Sequence, residues 1–181
     1  MKNLTVVASL VAVFGSVGLA LAASTGTITF NGELTANTCD VVIDGQTADA
    51  TVVLPTVGTN QLNGATQTAG ETEFVMALNN CSGTLQTASA FFEAGASVDS
   101  VTGRLNNLTG TATNVSLQLL DASSSSRAVI QAGNANQVTN TTYRDVTSGS
   151  ATLTYAVRYY AEGATTAGTV ISNVVYSIQY Q

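Results

Sequence analysis

Cys39 and Cys81 are the only two cysteines in the 181-residue sequence, and no histidine accompanies them. A metal site built on two thiolates would lack its usual partners, and neither a Ser-His nor a Cys-His nucleophile can be assembled. In an oxidising compartment two lone thiols most simply pair with each other. In the chain-entropy model, closing a loop of about 43 residues stabilises the fold by about 4 kcal/mol. Glu71 and Glu73 imitate the paired carboxylates of glycoside hydrolysis, but two acids on one face at the start of a strand read better as a solvated edge. Asp40, Asp44 and Asp49 gather around Asp44-Gly45 without the twelve-residue pattern of a calcium loop, so a plain turn is the better reading. The Asn107-Leu108-Thr109 and Asn140-Thr141-Thr142 sequons are expected by chance in a sequence so rich in Asn and Thr.

The elements that must position these residues begin with an export signal. Lys2 supplies the positive start, Leu4 to Leu21 is almost wholly apolar, and Ala20-Leu21-Ala22 offers the small residues a signal peptidase requires, so residues 1–22 read as a signal peptide. A retained membrane helix competes, because the run approaches the roughly 20 residues that span a bilayer. The small residues ending the run, and the polar strand-like sequence after them, favour removal, with no membrane insertion of the mature chain. Cleavage also removes the only lysine, leaving four arginines against 11 acids and a net charge of about −7. A chain with no basic stripe has nothing to neutralise phosphates, which excludes nucleic acid and anionic membranes as partners.

The rest of the sequence is built for short strands. Charged residues make up 9% and aromatics 6%, there is one proline, and Gly, Thr, Ser, Ala, Val and Asn dominate. Period-two alternation marks Gly26–Leu34, with Ile28, Phe30, Gly32 and Leu34 on one face. Further strands are expected at Cys39–Ile43, Thr51–Leu54, Glu73–Leu78, Ala88–Glu93, Asn114–Asp121, Arg127–Gln131 and Ala151–Tyr160. Gly58–Gly70 and Gly133–Thr142 read as loops. The last strand, from Val174 to Gln181, puts Val174, Tyr176, Ile178 and Tyr180 on one apolar face. A strand with such a face needs a neighbour on each side, from elsewhere in the chain or from another molecule. Seven or eight strands with turn signals between them, and no convincing amphipathic helix, point to an all-β, immunoglobulin-like β-sandwich.

Several of these features in order resemble one family. They are Gly26-Thr27-Ile28-Thr29-Phe30-Asn31-Gly32-Glu33 followed by Cys39, then Leu78-Asn79-Asn80-Cys81 and Ala112-Thr113-Asn114-Val115 leading to Gln118-Leu119-Leu120-Asp121. Ala156-Val157-Arg158-Tyr159-Tyr160-Ala161-Glu162-Gly163-Ala164, Gly168 and the penultimate Tyr180 complete the set. The sequence is similar to the major subunits of type 1 fimbriae, the chaperone-usher pili of Gram-negative bacteria, over the whole mature chain.

The resemblance implies an incomplete immunoglobulin-like sandwich lacking its last strand, completed by a donor strand from a neighbouring subunit. On that pattern residues 23–34 are the donor extension and 35–181 the pilin domain. Ile28, Phe30, Gly32 and Leu34 match the inward face of the donor, with Gly26 a departure that offers no side chain at the first inward position. Gly168, Val174, Tyr176, Ile178 and Tyr180 match the acceptor groove and chaperone-binding strand, and Cys39 and Cys81 the family's disulfide. The implied partners are identical or related pilin subunits, a periplasmic chaperone and an outer-membrane usher, and the implied destination is an extracellular fimbrium reached through the periplasm. No cofactor and no catalysis are expected. The alternatives are a minor pilin or a carbohydrate-binding adhesin; Ala23 leading straight into the donor segment speaks against a separate binding domain.

Overall fold

The computed structural model of the protein describes residues 26–32, 34, 36 and 38–181. Residues 1–22, read above as a signal peptide, together with residues 23–25 and Glu33, lie outside the described residues. The unit from Leu34 to Gln181 holds every strand among the described residues. These are β1 (Thr38–Ile43), β2 (Thr68–Ser82), β3 (Thr87–Phe92), β4 (Leu105–Asn106), β5 (Val115–Asp121), β6 (Val129–Ile130), β7 (Arg144–Asp145), β8 (Ala151–Ala161) and β9 (Tyr176–Tyr180). One helical turn, α1 (Gln137–Asn140), interrupts the loop expected at 133–142, and a 3-10 turn occupies Thr59–Gln61.

All pairings are antiparallel and fall into two sheets. The larger runs β1-β2-β8-β5-β4, with β6 also on β5, and the smaller runs β7-β3-β9. The alternation of β2 buries Phe74, Met76 and Leu78, and that of β8 buries Leu153, Tyr155 and Val157, while Ala88, Ala90 and Phe92 answer from β3. Tyr155 ties the layers together. Its ring meets Phe92 edge-on at 5.1 Å, and its phenol accepts the Ala90 amide at 2.9 Å and lies 3.3 Å from the Ser89 hydroxyl. Burial is the main cause that raises its pKa. A bulge in β2 between Ala69 and Thr72 is turned by Gly70 at φ +64°, where a Cβ would press on the Tyr159 ring.

The strands expected from Cys39, Glu73, Ala88, Asn114 and Ala151 all form, and β2 extends beyond its expected bounds into both flanking segments. Two expected strands do not. Residues 26–32 make no hydrogen-bonded ladder, and Ile28 and Phe30 are 76% and 86% exposed. An alternating segment becomes a strand only when a neighbouring backbone accepts it. Thr51–Leu54 is likewise not a strand: the Gln46 side-chain amide takes the Thr51 N–H and C=O, both at 3.2 Å, where a ladder partner would have sat.

β5 is buried along its whole length, on both faces, rather than on the one face that Val115, Leu117 and Leu119 define. Its second face carries Gln118 beneath Arg158, which donates to the Gln118 side-chain amide oxygen at 2.7 Å.

Candidate functional site

The smaller sheet has unequal edges. On the β3 side, β7 pairs only Thr87 and Ala88, and beyond it the Gln137 side chain substitutes for a strand: its oxygen accepts the Phe92 N–H at 2.9 Å and its nitrogen donates to the Phe92 C=O at 3.0 Å. On the other side β9 pairs β3 alone, and no strand among the described residues lies along its free edge. Side chains facing the sandwich interior there, Val174, Tyr176, Ile178 and Tyr180, remain only half-buried although packed against the core. They are a core layer with its cover missing.

Two cavities lie along the segment that leads into that edge. The lower, about 440 Å³, lies between Ala48–Leu54 and Ser172–Tyr176, and its floor is the apolar core itself, including Phe74, Met76, Phe92 and Leu117. An upper cavity of about 550 Å³ lies between Thr56–Thr59 and Thr165–Ile171, with Leu62, Val115 and Tyr159 beneath. Together they form a groove whose rims are two extended segments not paired to each other. Val52 and Leu54 turn into it and Val53, 80% exposed, turns out, so the alternation read as a strand at Thr51–Leu54 describes the groove's far rim.

Of the expected acceptor residues, Gly168 lines the upper cavity and Val174 and Tyr176 the lower. At Gly168 a Cβ would collide with the Ala112 amide nitrogen, so only glycine lets this rim lie against residues 111–112. Ile178 and Tyr180 continue the same face of β9 below the groove. Tyr180 also borders a separate cavity of about 230 Å³ near the disulfide. The Tyr176 phenol crosses to the opposite rim and donates to the Ala48 carbonyl at 2.9 Å. Burial raises the pKa of Tyr176, aided by the nearby Asp49 charge, and burial raises that of Tyr180 against a hydrogen bond with the Cys39 backbone. Both phenols stay neutral at ordinary pH. Cys39 and Cys81 are disulfide-bonded, pinning the start of β1 to the end of β2. Ile28, Phe30, Gly32 and Leu34 are exposed, and no heavy atom lies within 4 Å of a Cβ built on Gly32.

Four of the acids singled out by sequence, Glu71, Glu73, Asp44 and Asp40, have structural partners. Arg127 bridges Glu71 and Glu73, the second at 2.8 Å, and Arg158 reaches Glu71 at 3.4 Å. Asp44 accepts the Val75 amide at 2.7 Å, and Asp40 accepts from the Asn80 side chain at 2.7 Å. Each is engaged in fixing a strand or turn.

The family model for type-1 fimbrial protein A, FimA, matches residues 54–181. The chain belongs to the type-1 fimbrial protein A family. It is 43% identical over 165 residues to the major fimbrial subunit SMF-1 of Stenotrophomonas maltophilia (strain K279a), covering 90% of this chain and 96% of that one. It is 37% identical over 161 residues to the F17 fimbrial protein of Escherichia coli, with 86% and 87% covered. The fold is similar to that of the P pilus rod subunit PapA, with a TM-score of 0.59 at 16% identity over 79% of this chain and 99% of that one. This fimbrial protein is thus a structural subunit of a surface fimbrium, built on the immunoglobulin-like pilin sandwich.

Sequence reasoning missed several side chains that shape the groove. Leu62, 3% exposed, anchors an otherwise polar loop beneath the upper cavity, and Asn107 clamps one rim. The signal for Leu62 was present, as the one large apolar residue in that loop. For Asn107 only the Asn-x-x-Gly turn spacing hinted at it.

Proposed function

We propose that the groove beside β9 receives the Gly26–Leu34 segment of another subunit, so that this fimbrial protein polymerises by donating one strand and accepting another. The observation that supports this reading is the pairing of a free, apolar sheet edge with an alternating segment that forms no strand of its own. Such an edge exposes backbone N–H and C=O groups beside apolar side chains, a combination that aggregates unless covered. An added strand satisfies the edge and buries Ile28, Phe30 and Leu34, which is β-strand addition. Three such side chains contribute roughly 1.5–3 kcal/mol each when fully buried, and each net hydrogen bond about 1 kcal/mol. These gains approach the roughly 5–15 kcal/mol stability of a whole domain, so joints between subunits come apart very slowly. Because the donating and accepting surfaces differ, the contact is open-ended and yields a filament.

On the same reading a periplasmic chaperone covers the groove during export and an outer-membrane usher exchanges that cover for the next subunit's extension. The protein is then a major shaft subunit and not an enzyme. A synthetic peptide spanning residues 26–34, added to purified subunit, tests the central step. A gain in melting temperature that grows with peptide concentration is the expected result. A subunit whose melting ignores the peptide has no vacant strand position, and the proposal fails.

A further inference from the structure

The upper rim of the groove, residues 165–171, is not held by a regular ladder. It is fastened to residues 107–113 by side chains. Thr166 and Thr113 meet hydroxyl to hydroxyl at 3.0 Å, and the Thr166 hydroxyl also accepts the Thr113 amide at 2.9 Å. Thr111 and Thr169 exchange amide-to-hydroxyl bonds in both directions, at 3.1 and 3.0 Å. Three backbone bonds, Thr166 N–H to Thr113 C=O, Ala112 N–H to Thr169 C=O and Leu108 N–H to Ile171 C=O, complete the seam.

The centre of this fastening is one half-buried amide. The Asn107 nitrogen donates to Ala112 C=O at 2.8 Å and Thr169 C=O at 3.1 Å, while its oxygen accepts from Ile171 N–H at 2.8 Å and Gly110 N–H at 3.1 Å. Every polar group of the side chain is therefore used, and two of the four bonds go directly to the rim. The cavity of about 550 Å³ lies between that rim and Thr56–Thr59, with Ala112 also in its lining.

We infer that Asn107 is a positioning residue for strand capture: its amide holds residues 169–171 against 107–112 and so keeps the upper half of the groove open to an incoming strand. Without the amide, Ile171 N–H loses its partner and Thr169 C=O keeps only the Ala112 amide, so the rim is held less firmly and is free to shift into the cavity it borders, which narrows the space a strand must enter. Asn107 acts through the rim and needs no contact with the arriving strand. This rests on the reading that the groove accepts a strand.

The test measures association of a labelled residue 26–34 peptide with the purified exported chain, in wild type and in Asn107→Ala, Asn107→Asp and Thr169→Val. Asn107→Ala should slow association by about 30-fold, the effect of losing roughly two net hydrogen bonds at the rim. Asn107→Asp keeps both acceptor bonds but turns a carboxylate oxygen toward the Ala112 and Thr169 carbonyls in place of the two donor bonds, so it should slow association at least as much as Asn107→Ala. Thr169→Val, a milder change that leaves Asn107 in place, should slow association in the same direction.

A positioning role also predicts coupling to one end of the peptide. With peptides shortened by three residues at either end, one truncation should abolish the Asn107→Ala effect and the other preserve it, because only one end reaches the upper cavity. Equal effects on both shortened peptides, or a lowered melting temperature with unchanged association, mean that Asn107 merely stabilises the domain, and the inference is overturned. A wild-type chain that binds no peptide overturns the groove reading itself and this inference with it.

Discussion

Replacing Phe30 by alanine separates what the proposed donor segment would contribute to assembly from what it contributes to its own subunit. Phe30 is 86% exposed, so its loss should leave the melting of the unassembled subunit unchanged within about 0.5 kcal/mol, the usual range for a surface site. In the assembled state nearly the whole ring becomes available for burial, and the groove offers a core-like floor that includes Phe74, Met76, Phe92 and Leu117. Full burial of such a side chain is worth about 1.5–3 kcal/mol. At 1.4 kcal/mol per factor of ten this weakens a donor peptide by roughly 10- to 150-fold. For a domain of this size it lowers the melting temperature of the peptide-bound subunit by roughly 3–12 °C. Titration calorimetry with wild-type and substituted peptides, together with thermal melts of bound and free subunit, gives both numbers. Equal affinity for the two peptides, or a free subunit that melts lower with Phe30→Ala, would refute the reasoning: the first removes Phe30 from the joint and the second places it in its own domain's core.

Three further outcomes follow from the same geometry. Gly32→Val in the subunit should leave its denaturation curve in place, since nothing lies within 4 Å of a Cβ there, whereas the same substitution in the 26–34 peptide should weaken the stabilisation that peptide confers; unchanged stabilisation would refute a close fit at that position. Cys81→Ser removes the bond from Cys39, and its urea midpoint should correspond to a loss of about 4 kcal/mol, matched by wild type under reducing conditions. Tyr155→Phe leaves the Ala90 amide buried without its acceptor and should cost about 1–3 kcal/mol in urea denaturation. The same phenol contributes to the alkaline limb, beside the other burial-raised phenols Tyr176 and Tyr180. Its folded pKa is raised above the ordinary value of 10.0, so the stability it contributes is complete below about pH 10 and lost as pH climbs higher, and Tyr155→Phe should flatten that decline in melting temperature.

The sequence by itself determined the class of the protein and most of its strands, because each of those strands buries one face and a period of two survives any tertiary arrangement. Phe74-x-Met76-x-Leu78 and Leu153-x-Tyr155-x-Val157 could not have pointed elsewhere without exposing the core. Chain folding alone decided which alternating segments became strands. Gly26–Leu34 and Thr51–Leu54 carry the same pattern as β2 and β8, but a strand also needs a backbone partner, and its presence depends on where the rest of the chain ends up. The same holds for Asn107 and Gln137. Nothing local distinguishes an amide that fastens a groove rim or closes a sheet edge from one that faces water, because the groups each bonds to lie up to 64 residues away along the chain.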